Sequence, residues 1–447
     1  MQDFFPFCIY RIKEDFMNPL KLKSMKKLLL ISALCAGLCS SCSNNNEPLN
    51  IPPIEPTIEL VDSVESIELV ELDTRTQKEI AKTGNAFANK LMLQMNQQVT
   101  DQNMMISPMS LQYALGMLSN GCDEAALKEI TDAMGMNDYS LDMMNSFYYN
   151  LTQTLAQEDE DFTLKLANAI WIQNDYQVGK DFIQNNKALF HADVNNIDFY
   201  QVDKAKKTIN EWASKATEGT IKELSLQIND LTRMVLANAC YLKGKWTLPF
   251  DKKGTKKEIF YNLDGSTSEA NMMYLTKTLN FRDSSSEPYM AVELPYGNQT
   301  FSMIVVLPKE DKTLNDILPN INWSNMHLGG QKVHVQLPKF KIEAKYPTEI
   351  MKCIKEMGIN RIFIPGSLSG INDELFVSSI AQDTFIEVDE AGTEASAVTT
   401  IGMEFAAAGP ESAPPPTPTI RMDRPFAFAI CENTTGAVLF MGKVVKM

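Results

Sequence analysis

The chain has 447 residues, with 41 Lys and Arg against 56 Asp and Glu, and the net charge of -15 argues against nucleic-acid binding, which needs a basic face. Hydrophobic residues make up 44% and charged residues 22%, the balance of a chain that buries a core. His191, His327 and His334 are the only histidines, so a histidine metal site or a His-dependent triad has few candidates, and neither metal nor cofactor is expected.

Met25, Lys26 and Lys27 precede an apolar run from Leu28 to Leu38, and Ser40 and Ser41 lead into Cys42. A charged start, an apolar centre and small residues are the layout of a secretory signal, too short for a transmembrane helix. The run resembles a bacterial lipoprotein signal, in which the cysteine is lipidated and becomes the mature N-terminus. Cys42 is then the lipidated residue, and Cys39 stands where that pattern usually has Leu. Residues 1–24 carry no export logic and read as an over-extended start, and 25–41 as the signal. Residues 42–73, with Pro48, Pro52, Pro53 and Pro56, read as an extended tether. The expectation is an exported protein, lipid-anchored to a bacterial membrane at the outer membrane or cell surface.

From Thr74 onward there is no proline-rich break until Pro410 and no repeat period, which reads as one domain. Ile80, Phe87, Leu91 and Met95 lie near helical spacing and predict an amphipathic helix. Phe301 to Leu307, apolar and β-branched and ended by Pro308, predicts a buried strand. Helices early and strands late favour α+β over a doubly wound sheet. Cys122, Cys240, Cys353 and Cys431 are scattered and read as buried free thiols. The metalloprotease, P-loop, dinucleotide and hydrolase motifs are absent; Gly366-Ser-Leu-Ser-Gly370 comes nearest, with Leu368 in the nucleophile position. No enzyme is expected.

The segment from Ala391 to Ala408 contains no proline and alternates. Thr393, Ala395, Ala397, Thr399, Ile401, Met403 and Phe405 fall on one face; Glu394, Ser396, Val398, Thr400, Gly402 and Glu404 on the other. This is the pattern of a strand with one buried side, although its Ala and Gly content also suits a surface loop. Glu390-Ala-Gly-Thr-Glu-Ala-Ser-Ala-Val-Thr399 resembles the reactive-loop hinge of the serpins, the serine-protease-inhibitor superfamily. Further likenesses follow in family order. They are Ile106-Ser-Pro-Met-Ser-Leu111, Asn168-Ala-Ile-Trp171, Ile209-Asn-Glu-Trp212 with Thr217-Glu-Gly-Thr-Ile221, and Ala237-Asn-Ala-Cys-Tyr-Leu-Lys-Gly-Lys-Trp246. Leu337-Pro-Lys-Phe-Lys-Ile342, Met357-Gly-Ile359, Arg424-Pro-Phe426 and Phe440-Met-Gly-Lys-Val444 complete them.

The resemblance covers about 74–447 and implies a single serpin domain of about nine helices and three β-sheets, with an exposed reactive loop at about 390–424. It implies a monomer that inhibits serine proteases by offering the loop as bait: cleavage forms an acyl-enzyme, and the freed strand inserts into the central sheet. The implied hinge is Glu390, Gly392, Thr393, Glu394, Ala395, Ser396, Ala397 and Thr399. The family's count from Glu390 puts the scissile bond at Ala406-Ala407, which suits elastase-like or subtilisin-like targets; the neighbouring Phe405 would suit chymotrypsin-like pockets. Cysteine proteases and non-inhibitory binding remain alternatives. Ser107, Ser110, Asn238, Trp246 and Gln382 correspond to the sheet-opening region. Two departures stand out: the segment from Ala407 to Arg424 is longer than usual, and Gln382 stands where many members carry a histidine.

Overall fold

Asp73 begins the first helix by accepting from the Thr76 amide at 2.7 Å, the capping bond that a helix N-terminus requires. The computed structural model describes residues 67–156, 160–323, 326–393 and 416–447. Cys42, Glu394, Ala395, Ser396, Ala397, Thr399, Phe405, Ala406 and Ala407 lie outside them. In the helix Thr74–Gln98, Ile80, Phe87, Leu91 and Met95 are all buried, as the periodicity requires. The packed body begins earlier than the expected tether boundary at Asp73. Ile67 rests on the core, Leu72 is buried and the Val70 amide donates to Ser146 Oγ at 2.9 Å. Two apolar anchors and one hydrogen bond are enough to hold this otherwise acidic stretch down.

Among the described residues there are eight α-helices, against about nine expected. The helix Pro108–Ser119 is buried on every side, as only an apolar helix can be, and Ser107 caps it. The strands are those of an α+β fold with three sheets. The central sheet runs Phe340–Lys345, Ser379–Val388, Gly392–Thr393, Met234–Lys245, Phe162–Gln173, Asp193–Ile197. The other two sheets share the long strand Thr267–Asp283. It pairs with Lys256–Tyr261 and Gly329–Pro338 through most of its length, and with Tyr289–Tyr296 only from Phe281 to Asp283. Phe301–Pro308 is the buried strand its composition predicts.

Alternation divides the central sheet between two cores. Ile170, Ile172 and Leu236 face the main core, which holds the helix Pro108–Ser119. Ala169, Trp171, Val235, Ala237 and Ala239 face a smaller one, roofed by the helix Val202–Ala216 and the segment after it. Within the stretch to about residue 424 expected for the reactive loop, Thr419–Arg421 is a sheet strand. That strand lies parallel to Gly329–Pro338 with Ile420 buried.

Candidate functional site

The central sheet carries a seam that is closed at one end and wedged at the other. Ser379–Val388 runs parallel to Met234–Lys245, and they pair directly at five positions, from Ser379 opposite Val235 to Asp383 opposite Ala239. Beyond Asp383 the strands part. At the far end Thr393 lies between them, antiparallel to both, paired with Val388 on one side and Gly244 on the other.

Glycine is required at the mouth. A Cβ on Gly392 would collide with the Gly244 carbonyl and lie 2.7 Å from Lys245 Cα, and a Cβ on Gly244 would lie 2.6 Å from the Phe162 ring. Backbone therefore meets backbone there. Thr393 is fully buried, and its hydroxyl lies 2.8 Å from the Tyr296 hydroxyl, which burial holds far above its usual ionisation range. Tyr296 stacks on Trp246 with centroids 4.4 Å apart and touches Phe162, which stacks on Phe301 at 4.1 Å. Trp246 ties the approach down: Nε1 donates to Asp389 O at 3.0 Å and its amide to Ala391 O at 2.9 Å.

The chain turns into the seam at Asp389, whose Oδ1 accepts from the amides of Ala391 and Gly392 at 2.8 and 3.2 Å. Such an Asx turn replaces backbone partners within the bend. Glu390 is buried beside it, accepting from Thr255 Oγ1 at 2.7 Å and Lys339 Nζ at 2.9 Å. Burial disfavours its charge, but the bonds from Lys339 and Thr255 outweigh that and hold the carboxyl below its usual range.

The closed end is bolted to the core helix. Gln382 Oε1 accepts from the Ser107 amide at 2.9 Å, while its Nε2 donates to Ser107 O at 2.8 Å and reaches Ser110 Oγ at 3.5 Å. Ser107 Oγ donates to Leu439 O at 2.9 Å and accepts from the Ser110 amide at 3.2 Å. All three residues are buried. Asn238 is the ladder partner of Gln382.

The profile of the family described as Serpin (serine protease inhibitor) matches residues 82–447. The chain is a serpin. Over 448 residues the serpin is 32% identical to an uncharacterized serpin-like protein of Methanosarcina mazei, covering 94% of this chain and 97% of that one. It is 31% identical to human neuroserpin, covering 77% and 86%. Of solved structures, it superposes on the native state of the thermophilic serpin tengpin with a TM-score of 0.74 at 27% identity, covering 85% and 96%. It superposes on thyroxine-binding globulin in complex with thyroxine with a TM-score of 0.73 at 26% identity, covering 82% and 99%. Serpins are protease inhibitors rather than catalysts, and some are binding proteins.

Those expected site residues that the structure describes fall at the two ends of one seam. Glu390, Gly392, Thr393 and Trp246 make the mouth; Ser107, Ser110 and Gln382 make the bolt. Gln382 is a primary amide whose donor and acceptor point the same way, so it pairs with both backbone groups of Ser107, which an imidazole ring with its nitrogens on different edges cannot do. Sequence reasoning missed Tyr296, Lys339, Thr255 and the acid Asp383. For Asp383 a signal existed: in Ser-Ile-Ala-Gln-Asp-Thr-Phe-Ile it follows the bolt residue in a buried strand, where a charge needs a reason.

Proposed function

We propose that this serpin is a suicide-substrate inhibitor of serine proteases, in which cleavage of the bait releases a strand that inserts along the seam. The observation that carries the reading is Thr393, held in register with both lips of a seam whose far half is closed. A strand continued antiparallel from Thr393 would set Val398 against Asp383 and Ala239 together, and Thr399 against Gln382 and Asn238. The two lips call for the same register. That continuation directs Thr393, Ala395, Ala397, Thr399, Ile401 and Met403 towards the main core, and Glu394 and Glu404 away from it, in accord with the alternation of the sequence. Breaking five direct pairs to make a ladder on each side exchanges one row of hydrogen bonds for two.

The reactive bond is Ala406-Ala407 on this reading, and the small side chain suits elastase-like or subtilisin-like pockets; at Phe405 the target would be chymotrypsin-like. Incubation with elastase should give a complex that survives SDS, with the loop cut after Ala406. Complete turnover to cleaved serpin would sink the inhibitory reading; a complex with papain instead would redirect it to cysteine proteases. The likeness to thyroxine-binding globulin favours a second reading, a binding protein on the serpin fold, for which proteases give no stable complex and loop cleavage no large rise in melting temperature. We also infer a lipid anchor on Cys42 that tethers the protein at a bacterial surface. N-terminal analysis of membrane-extracted protein tests it; an unmodified residue upstream of Cys42 would overturn it.

A further inference from the structure

Between the helix Val202–Ala216 and the strand Met234–Lys245 runs a segment whose Ile221, Leu224, Leu226 and Ile228 pack in the smaller core with Val235, Ala237 and Ala239. Those apolar contacts belong to one lip of the seam. The segment also grips the other lip. Ser225 donates to Asp383 Oδ2 twice, from its amide at 2.9 Å and its hydroxyl at 3.1 Å, and the Arg233 amide donates to Ser378 Oγ at 3.1 Å. The segment is thus a strap across the seam, and Ser225 fastens it where the two strands part.

Asp383 is the last of the five directly paired positions. Alternation turns Gln382 towards Ser107 and Asp383 to the opposite face, under the strap. The side chain is buried, and its Oδ1 meets no hydrogen-bond partner in the structure. An anion there is half-bonded and shut away from water, a costly state unless neutralised. Its ionisable surroundings do not neutralise it. On the outer strand, Lys345 is its ladder partner and favours the charge, whereas Glu343 opposes it. On the inner strand Tyr241 stands two residues beyond Ala239. The strap contributes Ser225, its charged residues Lys222 and Glu223 being exposed. Burial outweighs the help from Ser225 and Lys345 and pushes the carboxyl up to about 6.

We propose that Asp383 is a positioning residue that sets when the seam opens: its neutral form keeps strap and seam shut, and its ionisation favours the open state, where the carboxylate can be hydrated. The inference rests on the insertion reading above, since a strand continued from Thr393 reaches Asp383 at its fifth step. Linkage gives the sign. A closed state that holds the proton more tightly than an open one is favoured by acid, so opening quickens as pH rises through about 6.

The test uses the full serpin and a synthetic peptide of the sequence Thr393 to Phe405, with insertion followed by the rise in melting temperature over a pH series from 5 to 8. Wild type should insert about tenfold or more faster at pH 7.5 than at pH 5, since each unit by which the proton is held more tightly in the closed state is a factor of ten. Asp383→Asn, an uncharged side chain of the same shape, should be slow throughout and flat with pH. Ser225→Ala removes one bond to the anion and should move the midpoint to higher pH. A flat wild-type profile, or an unchanged slope in Asp383→Asn, overturns the gate while leaving insertion intact. Peptide that enters no form at any pH, together with cleaved serpin that melts no higher than intact, overturns the insertion reading and the gate with it.

Discussion

The Thr393 and Tyr296 hydroxyls lie 2.8 Å apart with both residues buried, so each is the other's means of satisfying a polar group at the mouth of the seam. Removing one partner strands the other. Tyr296→Phe and Thr393→Val should each lower stability by about 1 to 3 kcal/mol, whereas the double substitution should cost less than their sum, because it leaves no orphan. Urea unfolding of the four proteins measures the coupling. Strict additivity would show that the contact does not hold the hinge in place.

At the same position a charge tests the mechanism rather than the fold. Thr393→Arg puts a guanidinium into a site with no exposure to water, which a strand entering the sheet would have to carry along. The variant should still be cut by elastase but form little or no SDS-stable complex. Wild-type yields of complex from Thr393→Arg would separate inhibition from strand insertion.

Gly392 is constrained twice, by its neighbours and by a φ of +155° that side-chain-bearing residues rarely adopt. Its missing Cβ is the space occupied by the Gly244 carbonyl and Lys245 Cα, so Gly392→Ala should unseat the first hinge residues and cost about 1 to 3 kcal/mol, as overpacking usually does. The tryptophan emission should change with it, because Trp246 is bonded to Asp389 and Ala391 on the approach. An unshifted spectrum with full stability would mean that the mouth tolerates a side chain.

How much of this could be read beforehand depended on how local the cause was. The helical spacing of Ile80, Phe87, Leu91 and Met95, and the apolar run at Phe301, are properties of short windows, and they gave the right elements. The mouth and bolt positions of Glu390, Gly392, Thr393 and Gln382 were visible through motif resemblance. Neither route reached the partners. Tyr296 is 97 positions from Thr393 and Ser225 is 158 from Asp383, and only the sheet topology brings them together. The same holds for Ile67 and Leu72, two apolar residues in an acidic stretch whose burial depends on surfaces supplied from elsewhere.

Gln382 makes the strength of the bolt measurable. Gln382→Ala leaves the buried amide and carbonyl of Ser107 without a side-chain partner, at about 1 to 3 kcal/mol for each group that finds no substitute. Gln382→His should recover only part of this, since one ring nitrogen at a time can face Ser107. Both variants should also open the seam more readily, seen as faster peptide insertion. Equal stability of Gln382→Ala and wild type would mean that the bolt carries no load.

The two carboxylates of the seam should respond to acid in opposite directions. Glu390 has its affinity for a proton lowered in the folded state, so the stability it supplies is complete above its unfolded value of about 4.5 and is lost as pH falls through the folded one. Lys339→Ala removes the ammonium bond and should weaken the protein at pH 7 by about 1 to 3 kcal/mol, with a shallower decline in acid than wild type. Asp383 behaves the other way: its proton is held more tightly in the native state, so between about pH 6 and its unfolded value near 3.8 acidification adds stability. Wild type minus Asp383→Asn should therefore rise as pH falls from 7 to 5, while wild type minus Lys339→Ala stays level there and drops only below about 4.5. Urea midpoints measured over this range separate the two, because Glu390 and Asp383 then titrate in different windows; parallel profiles for both variants would refute the assignment.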